Sequence, residues 1–158
     1  RNGGTLTGWT ISGSVGVNPY WQDTRTPAGP AKPFADNGKT PHGSHVLFMQ
    51  NEAVVRQIVP GFRSGHRYQV LYWENGRDAQ ISAEAQILEV KLGGITVVSP
   101  HEVPPIERSQ HYTMPYARVE SAIFIPERDG AHEVLFQTHR GGGTSVLIDH
   151  VRLVDLGV

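Results

Sequence analysis

The stretch QIVPGFRSGHRYQVLYWENGR, residues 57–77, decides how the chain is read. A short apolar run ends on Pro60-Gly61, a Ser64-Gly65-His66 turn follows, and residues 68–73 then alternate in character. Two strands joined by a tight connection are expected, as in an antiparallel all-β domain. Successive side chains on a strand point to opposite faces, which sets Tyr68, Val70 and Tyr72 against Gln69, Leu71 and Trp73. Both faces carry large apolar groups. One lines a core, and the other is either covered by a second layer or is an apolar binding surface.

Outward from this hairpin the same punctuation recurs. LTGWTISGSVGV (6–17) reads as one or two opening strands with Gly8, Gly13 and Gly16 as bends or bulges. VLFMQ (46–50) is a short, continuously apolar strand, and residues 53–59 pair with 68–73. Asn75-Gly76 suits positive backbone dihedrals, so residues 74–77 are expected to turn. Residues 81–90 and 95–98 flank Gly93-Gly94 as a hairpin, and residues 116–125, 133–138 and 145–156 supply the closing strands. The total is roughly eight to ten strands at the spacing of a β-sandwich. No sustained helical period is present, so helices are short or absent. Two Pro-rich polar stretches, 18–44 and 99–115, read as long loops, and connections of that length are more often functional than spacers.

Composition sets the outer bounds. At 158 residues the chain makes one domain, 1–158, able to bury a core without covalent staples. With 38% hydrophobic and 18% charged residues it is globular, and a net charge of -1 without a basic block argues against nucleic acid or an anionic membrane as partner. The absence of cysteine excludes disulfides, thiolate-bound zinc and a thiol nucleophile. No apolar run approaches the roughly 20 residues that span a bilayer. The first residue is Arg1, so a module excised from a larger chain, with any signal peptide outside it, is expected.

Several motifs carry a family resemblance. Gly8-Trp9-Thr10, Leu47-Phe48-Met49-Gln50, the run from Gln57 to Phe62, Gly65 and the alternating Tyr68, Val70, Tyr72 resemble carbohydrate-binding jelly rolls of the galactose-binding-domain-like superfamily. Families 4, 9 and 22 of carbohydrate-binding modules and the DUF642-type domains are the nearest in pattern. Leu147-Ile148-Asp149-His150-Val151 is similar to their closing strand. The resemblance implies an antiparallel β-sandwich, a non-catalytic sugar-binding role beside a covalently linked neighbouring domain, and an extracellular or cell-surface place, with a bacterial secreted protein expected. It also implies a structural calcium ion, with Asp149 at the matching aspartate. The usual amino-terminal glutamate is missing from Arg1-Asn2-Gly3-Gly4-Thr5-Leu6, however, and calcium wants roughly six to eight oxygens.

Sugar recognition calls for flat apolar surfaces and planar polar groups. If Tyr68, Val70 and Tyr72 face the core, as the resemblance implies, Gln69 and Trp73 turn outward. The same parity puts Gln137, His139, His150 and Arg152 outward, so one polar platform with an aromatic in it is expected. The expected ligand contacts are Trp73 and the loop pair Tyr20-Trp21 for stacking, and Gln69, Arg77, Gln137 and His139 for hydrogen bonding. The plainer alternative is that Trp73 packs under a long loop, while Trp9 is read as core. His42 and His45 have metal-ligand spacing without a signalled third ligand, and no serine elbow or facing carboxylate pair is apparent. A protein-binding adhesion module and a jelly-roll lyase or cyclase are the competing readings.

Overall fold

The computed structural model describes residues 6–18, 37–78, 84–110 and 113–158. It holds β1 (Thr10–Asn18), β2 (Val46–Phe62), β3 (Tyr68–Gly76), β4 (Gln86–Leu92), β5 (Ile95–Val103), β6 (Ala117–Glu120), β7 (Gly130–Thr138) and β8 (Ser145–Asp155), with one 3₁₀ turn at Arg108–Gln110. Hydrogen bonding links them in the order β5-β4-β7-β2-β8-β3-β6, with β1 on the other edge of β2. Every strand pairing is antiparallel.

The spine of this arrangement is β2. Its residues Leu47 to Gln50 pair with β8, whereas from Ala53 onward it pairs with β7. Between the two halves Asn51 adopts φ 59, and β1 follows the bend through an irregularity at Gly13, φ 84. Only glycine fits there, because a Cβ would stand 2.6 Å from the Glu52 carbonyl oxygen. The path therefore folds into two layers, one holding β5, β4, β7 and the second half of β2, the other holding the first half of β2 with β8, β3 and β6. They meet across the core, where the Tyr72 ring of β3 stands edge-on to Phe136 of β7 at 5.2 Å. The far edges approach each other too: Ser121 N–H donates to Val70 O and Ala122 N–H to Val97 O, at 2.9 and 2.8 Å. The result is an antiparallel β-sandwich of the jelly-roll type.

Alternation builds the interior as the sequence implies. Tyr68, Val70 and Tyr72 on β3, Leu88, Val90 and Leu92 on β4, and Val134 and Phe136 on β7 are all buried. Trp9 packs against the same cluster. Four local expectations change. Residues 57–77 are not a hairpin: the first strand pairs with β7 and the second with β6 and β8, so residues 63–67 carry the chain between layers. Pro60 has no N–H for a ladder, the β2–β7 register breaks between Val59 and Phe62, and the crossover is tied by the Arg63 N–H donating to the core Tyr68 hydroxyl at 2.8 Å.

Asn75-Gly76 is not a turn but the end of β3. Asn75 is buried and donates Nδ2 to the Asn37 carbonyl at 3.1 Å, while Gly76 leaves room for the backbone of Pro104 and Pro105, which a Cβ would strike. The strand after Gly93-Gly94 also runs further than expected, through Pro100 to Val103, as a proline can on an edge strand. Ala117–Glu120 is correspondingly shorter than the expected 116–125, because the chain leaves β6 to bridge toward β5.

One polar network joins the layers. The Tyr72 hydroxyl donates to Glu74 Oε2 at 3.0 Å, and His101 Nε2 of β5 lies 2.7 and 2.9 Å from the two Glu74 oxygens. Glu74 is buried, and a buried carboxylate is tolerated only when such partners are in place. Burial pushes the Tyr72 phenol far above its ordinary value, with the Glu74 charge adding to it, so Tyr72 stays a donor. The hydrogen bond to Glu74 raises His101 above the ordinary imidazole value despite its partial burial.

Two outcomes follow. Because the folded His101 holds its proton more tightly than the unfolded one, its stabilising contribution is complete below the usual imidazole range and is lost as pH rises through the raised value. Thermal unfolding should therefore show a midpoint that falls as pH rises above the ordinary imidazole range, and the His101→Gln protein should lose much of that slope. An unchanged slope in the variant would remove the linkage. Gly76→Ala should cost about 1–3 kcal/mol in urea unfolding, as overpacking against rigid backbone does.

Candidate functional site

The outer face of β4 and β7 gathers the polar groups that the layer leaves toward solvent. Within Gln86–Leu92 the inward Leu88, Val90 and Leu92 are apolar and Gln86 is buried at the strand's start, while the outward residues are Ile87, Glu89 and Lys91. Pairing sets these into cross-strand rows: Glu89 beside Gln137 beside Val54, and Lys91 beside Leu135 beside Arg56. At the end of β7 the His139 N–H donates to the Ile87 carbonyl at 3.0 Å, which brings the imidazole onto the same face.

Glu89 is the hub. Its Oε2 accepts from Thr96 Oγ1 at 2.6 Å, and its Oε1 lies 2.9 Å from His139 Nε2. Although only 7% exposed, the carboxyl is held below its ordinary range, first by the Thr96 hydrogen bond and then by His139 and the nearby Lys91. It is therefore an ionised acceptor fixed in direction. Gln137, half-buried alongside, uses its amide in no side-chain hydrogen bond among the described residues. The floor is aliphatic, formed by Val54, Leu135, Ile87 and Ile58, the last 62% exposed. Arg140 closes one end, donating to the Ala85 carbonyl at 2.6 Å and to Glu102 at 3.3 Å.

The single platform expected from strand parity is divided between the two layers. Gln137 and His139 stand on the β4–β7 face, but Gln69 and Trp73 belong to β3 and lie on the outer face of the other layer. The crossover at residues 63–67 is the cause, since parity assigns a face within a strand and not the layer the strand joins. The Gln69 amide donates to the Ser121 carbonyl at 2.7 Å. Trp73 is half-buried and packs with Val46, Phe48, Tyr116 and Leu147 in a second apolar cluster, which accounts for the hydrophobes on both faces of β3. Arg77 lies just past β3, half-buried, with its carbonyl accepting from Ile106 N–H at 3.0 Å. Tyr20 and Trp21 lie outside the described residues.

Asp149 stands at the position that the family resemblance associates with calcium. Its oxygens accept the backbone N–H groups of His150 and His42 at 2.8 and 2.9 Å, and among the described residues no group of three or more His, Cys, Asp or Glu converges on a point that a metal could occupy. Burial raises its carboxyl above the ordinary range. His42 stacks on His150 with ring centroids 4.5 Å apart, and Ser44 Oγ lies 2.9 Å from His45 Nδ1. Glu89 is the member of the polar face that sequence reasoning passed over. Its signal was there in the alternation of Ile87-Leu88-Glu89-Val90-Lys91-Leu92, where every second residue is apolar and a carboxylate holds the middle outward position.

Known proteins share this architecture. The chain is similar to a family 61 carbohydrate-binding module solved with β-1,4-galactotriose, at 16% identity and a TM-score of 0.62, covering 94% of this chain and 89% of that one. The CBM22-1 xylan-binding domain of Paenibacillus barcinonensis Xyn10C matches at 13% identity and TM-score 0.57, covering 98% of this chain and 90% of that one. A cyclase from Fischerella sp. TAU, solved with 4-(1H-indol-3-yl)butan-2-one, matches at 14% identity and TM-score 0.62, covering 98% and 88% respectively. No protein-family model and no curated protein matches the chain. The fold is thus that of carbohydrate-binding modules.

The two faces should respond differently to truncation. Trp73→Ala removes a ring from an apolar cluster and should cost roughly 2–4 kcal/mol in urea unfolding, whereas Gln137→Ala should stay within about 0.5 kcal/mol of the parent. Equal effects at the two positions would contradict the division between packing and exposed face.

Proposed function

We propose that the chain is a non-catalytic carbohydrate-binding module that attaches a larger secreted or surface protein to a polysaccharide. The observation that carries this reading is the β4–β7 face. A fixed carboxylate at Glu89, the imidazole of His139 and the uncommitted amide of Gln137 stand on one face above an aliphatic floor. Glycans present hydroxyls that need planar, bidentate partners and C–H faces that prefer apolar ground, and this surface offers both. The fold held in common with a galactotriose-bound module and a xylan-binding domain supports the same substrate class.

In this reading Gln137 and His139 bond to sugar hydroxyls, Glu89 accepts from a hydroxyl while keeping His139 in place, and the Tyr20-Trp21 loop supplies the stacking ring. Trp73 contributes by holding the opposite face together. No bond is made or broken. Affinity comes from a few paired hydroxyls and modest apolar burial, on the order of micromolar to millimolar.

Calorimetric titration with galactan, xylan and β-glucan oligosaccharides tests the proposal. Binding to at least one of them is expected, with Gln137→Ala and His139→Ala each weakening it about tenfold at an unchanged melting temperature. No binding across the panel, or binding indifferent to both substitutions, would exclude this face as the glycan site.

A further inference from the structure

A cavity of about 310 Å³ opens between the layers where β1, β2 and β8 meet. Its walls are apolar, with Trp9, Val55, Phe136 and Ile148 among them, and its polar groups are His45, Asp149 and His150. Folded interiors leave few voids larger than a water molecule, and an apolar cavity of roughly 150 Å³ already accommodates benzene.

The strand that supplies the polar side is locally remodelled. A regular strand shows every second residue to one side, yet four consecutive residues, 148–151, line this cavity. The β3–β8 ladder accounts for it: Leu71 pairs with Arg152 and Trp73 with Asp149, so two steps along β3 span three along β8. The extra residue forms a bulge, and His150 within it takes φ 49, in the left-handed region that residues other than glycine seldom adopt. Strained residues of this kind persist where surrounding contacts over-determine them, and they concentrate at binding sites. Here the contacts are the His42 ring stacked on His150 at 4.5 Å and the two backbone N–H groups that hold Asp149 at 2.8 and 2.9 Å.

We infer that this cavity is a binding site for a compact hydrophobic molecule, of ring-like shape, that carries a single N–H or O–H donor directed at Asp149. Each carboxylate oxygen accepts one backbone N–H and keeps a further lone pair, so a ligand has to bring a donor. The same charge disfavours anions. The apolar walls disfavour a sugar, most of whose hydroxyls would be buried without partners. The site is separate from the glycan face: Phe136 of β7 lines the cavity, while Gln137, next in sequence, points to the outside.

Methyl-selective NMR titration of the full chain with 4-ethylphenol, 4-ethylanisole and 4-ethylbenzoate tests this. The phenol should shift the methyl signals of Val55, Ile148 and Val151 saturably, the ether should bind about tenfold more weakly for want of a donor, and the benzoate should not bind. Val17→Phe, which fills the cavity from β1, should abolish the shifts, and Asp149→Asn should bring the phenol down toward the ether. Glycan titration of the Val17→Phe protein should be unchanged, which separates failure here from failure of the glycan reading. Absence of shifts at millimolar phenol, equal affinity for phenol and ether, or persistence of the shifts in a folded Val17→Phe protein would overturn the inference.

Discussion

The bend in β2 is the constraint on which the rest of the structure depends. A strand of 17 residues cannot serve both layers unless it changes direction, and it does so where Asn51 enters the left-handed region. The unused hydrogen-bonding capacity at that point is taken up locally. The Asn51 N–H donates to the Thr144 carbonyl at 2.9 Å, and its side-chain oxygen accepts the Gly143 N–H at 2.7 Å, so the β7–β8 connection is pinned to the bend. Fully buried Gln86 completes the joint, donating to Thr144 Oγ1 at 2.7 Å and the Arg140 carbonyl at 2.8 Å while accepting the Arg140 N–H at 2.8 Å. Polar groups are affordable there because each finds a partner.

With that joint in place, the two layers have different outer surfaces. The β8–β3 layer covers its outside with Trp73, Phe48, Leu147, Val46 and Tyr116. The β4–β7 layer turns Gln137 and His139 outward around the nearly buried Glu89. The buried Tyr72–Glu74–His101 network ties the layers from the other side, where β3 meets β5. A polar face held by two anchored edges is preorganised.

What could be read from the sequence was what neighbours in the chain decide. Alternation in Tyr68-Gln69-Val70-Leu71-Tyr72 and in Val134-Leu135-Phe136 identifies strands and their inward sides, because side-chain direction depends only on position along the strand. Pairing partners are set by residues far away, so residues 57–77 read as a hairpin although they cross between layers. Asn75-Gly76 shows the same limit: the dipeptide's preference for a turn is overridden by the Pro104-Pro105 backbone, which needs the space a Cβ would fill. The candidate site was partly legible, since Gln137 and His139 follow from parity and Glu89 was available to the same argument. The bulge at His150 was not. Nothing about a histidine in an apolar run announces a positive φ, which arises from stacking and capping by residues brought over from another part of the chain.

The long β2 strand also governs the order in which the molecule can be made. Its Ala53 backbone bonds to Thr138, 85 residues later, and its first half waits for β8 at the carboxyl end. During synthesis Met49 and Val55, both fully buried in the finished domain, remain uncovered until β7 and β8 have emerged. Such non-local pairing makes folding slow and late, governed by loop closure instead of local zippering. Strand β8 is therefore a checkpoint: chains ending before residue 145 lack the partner of the first half of β2 and leave that strand edge unpaired.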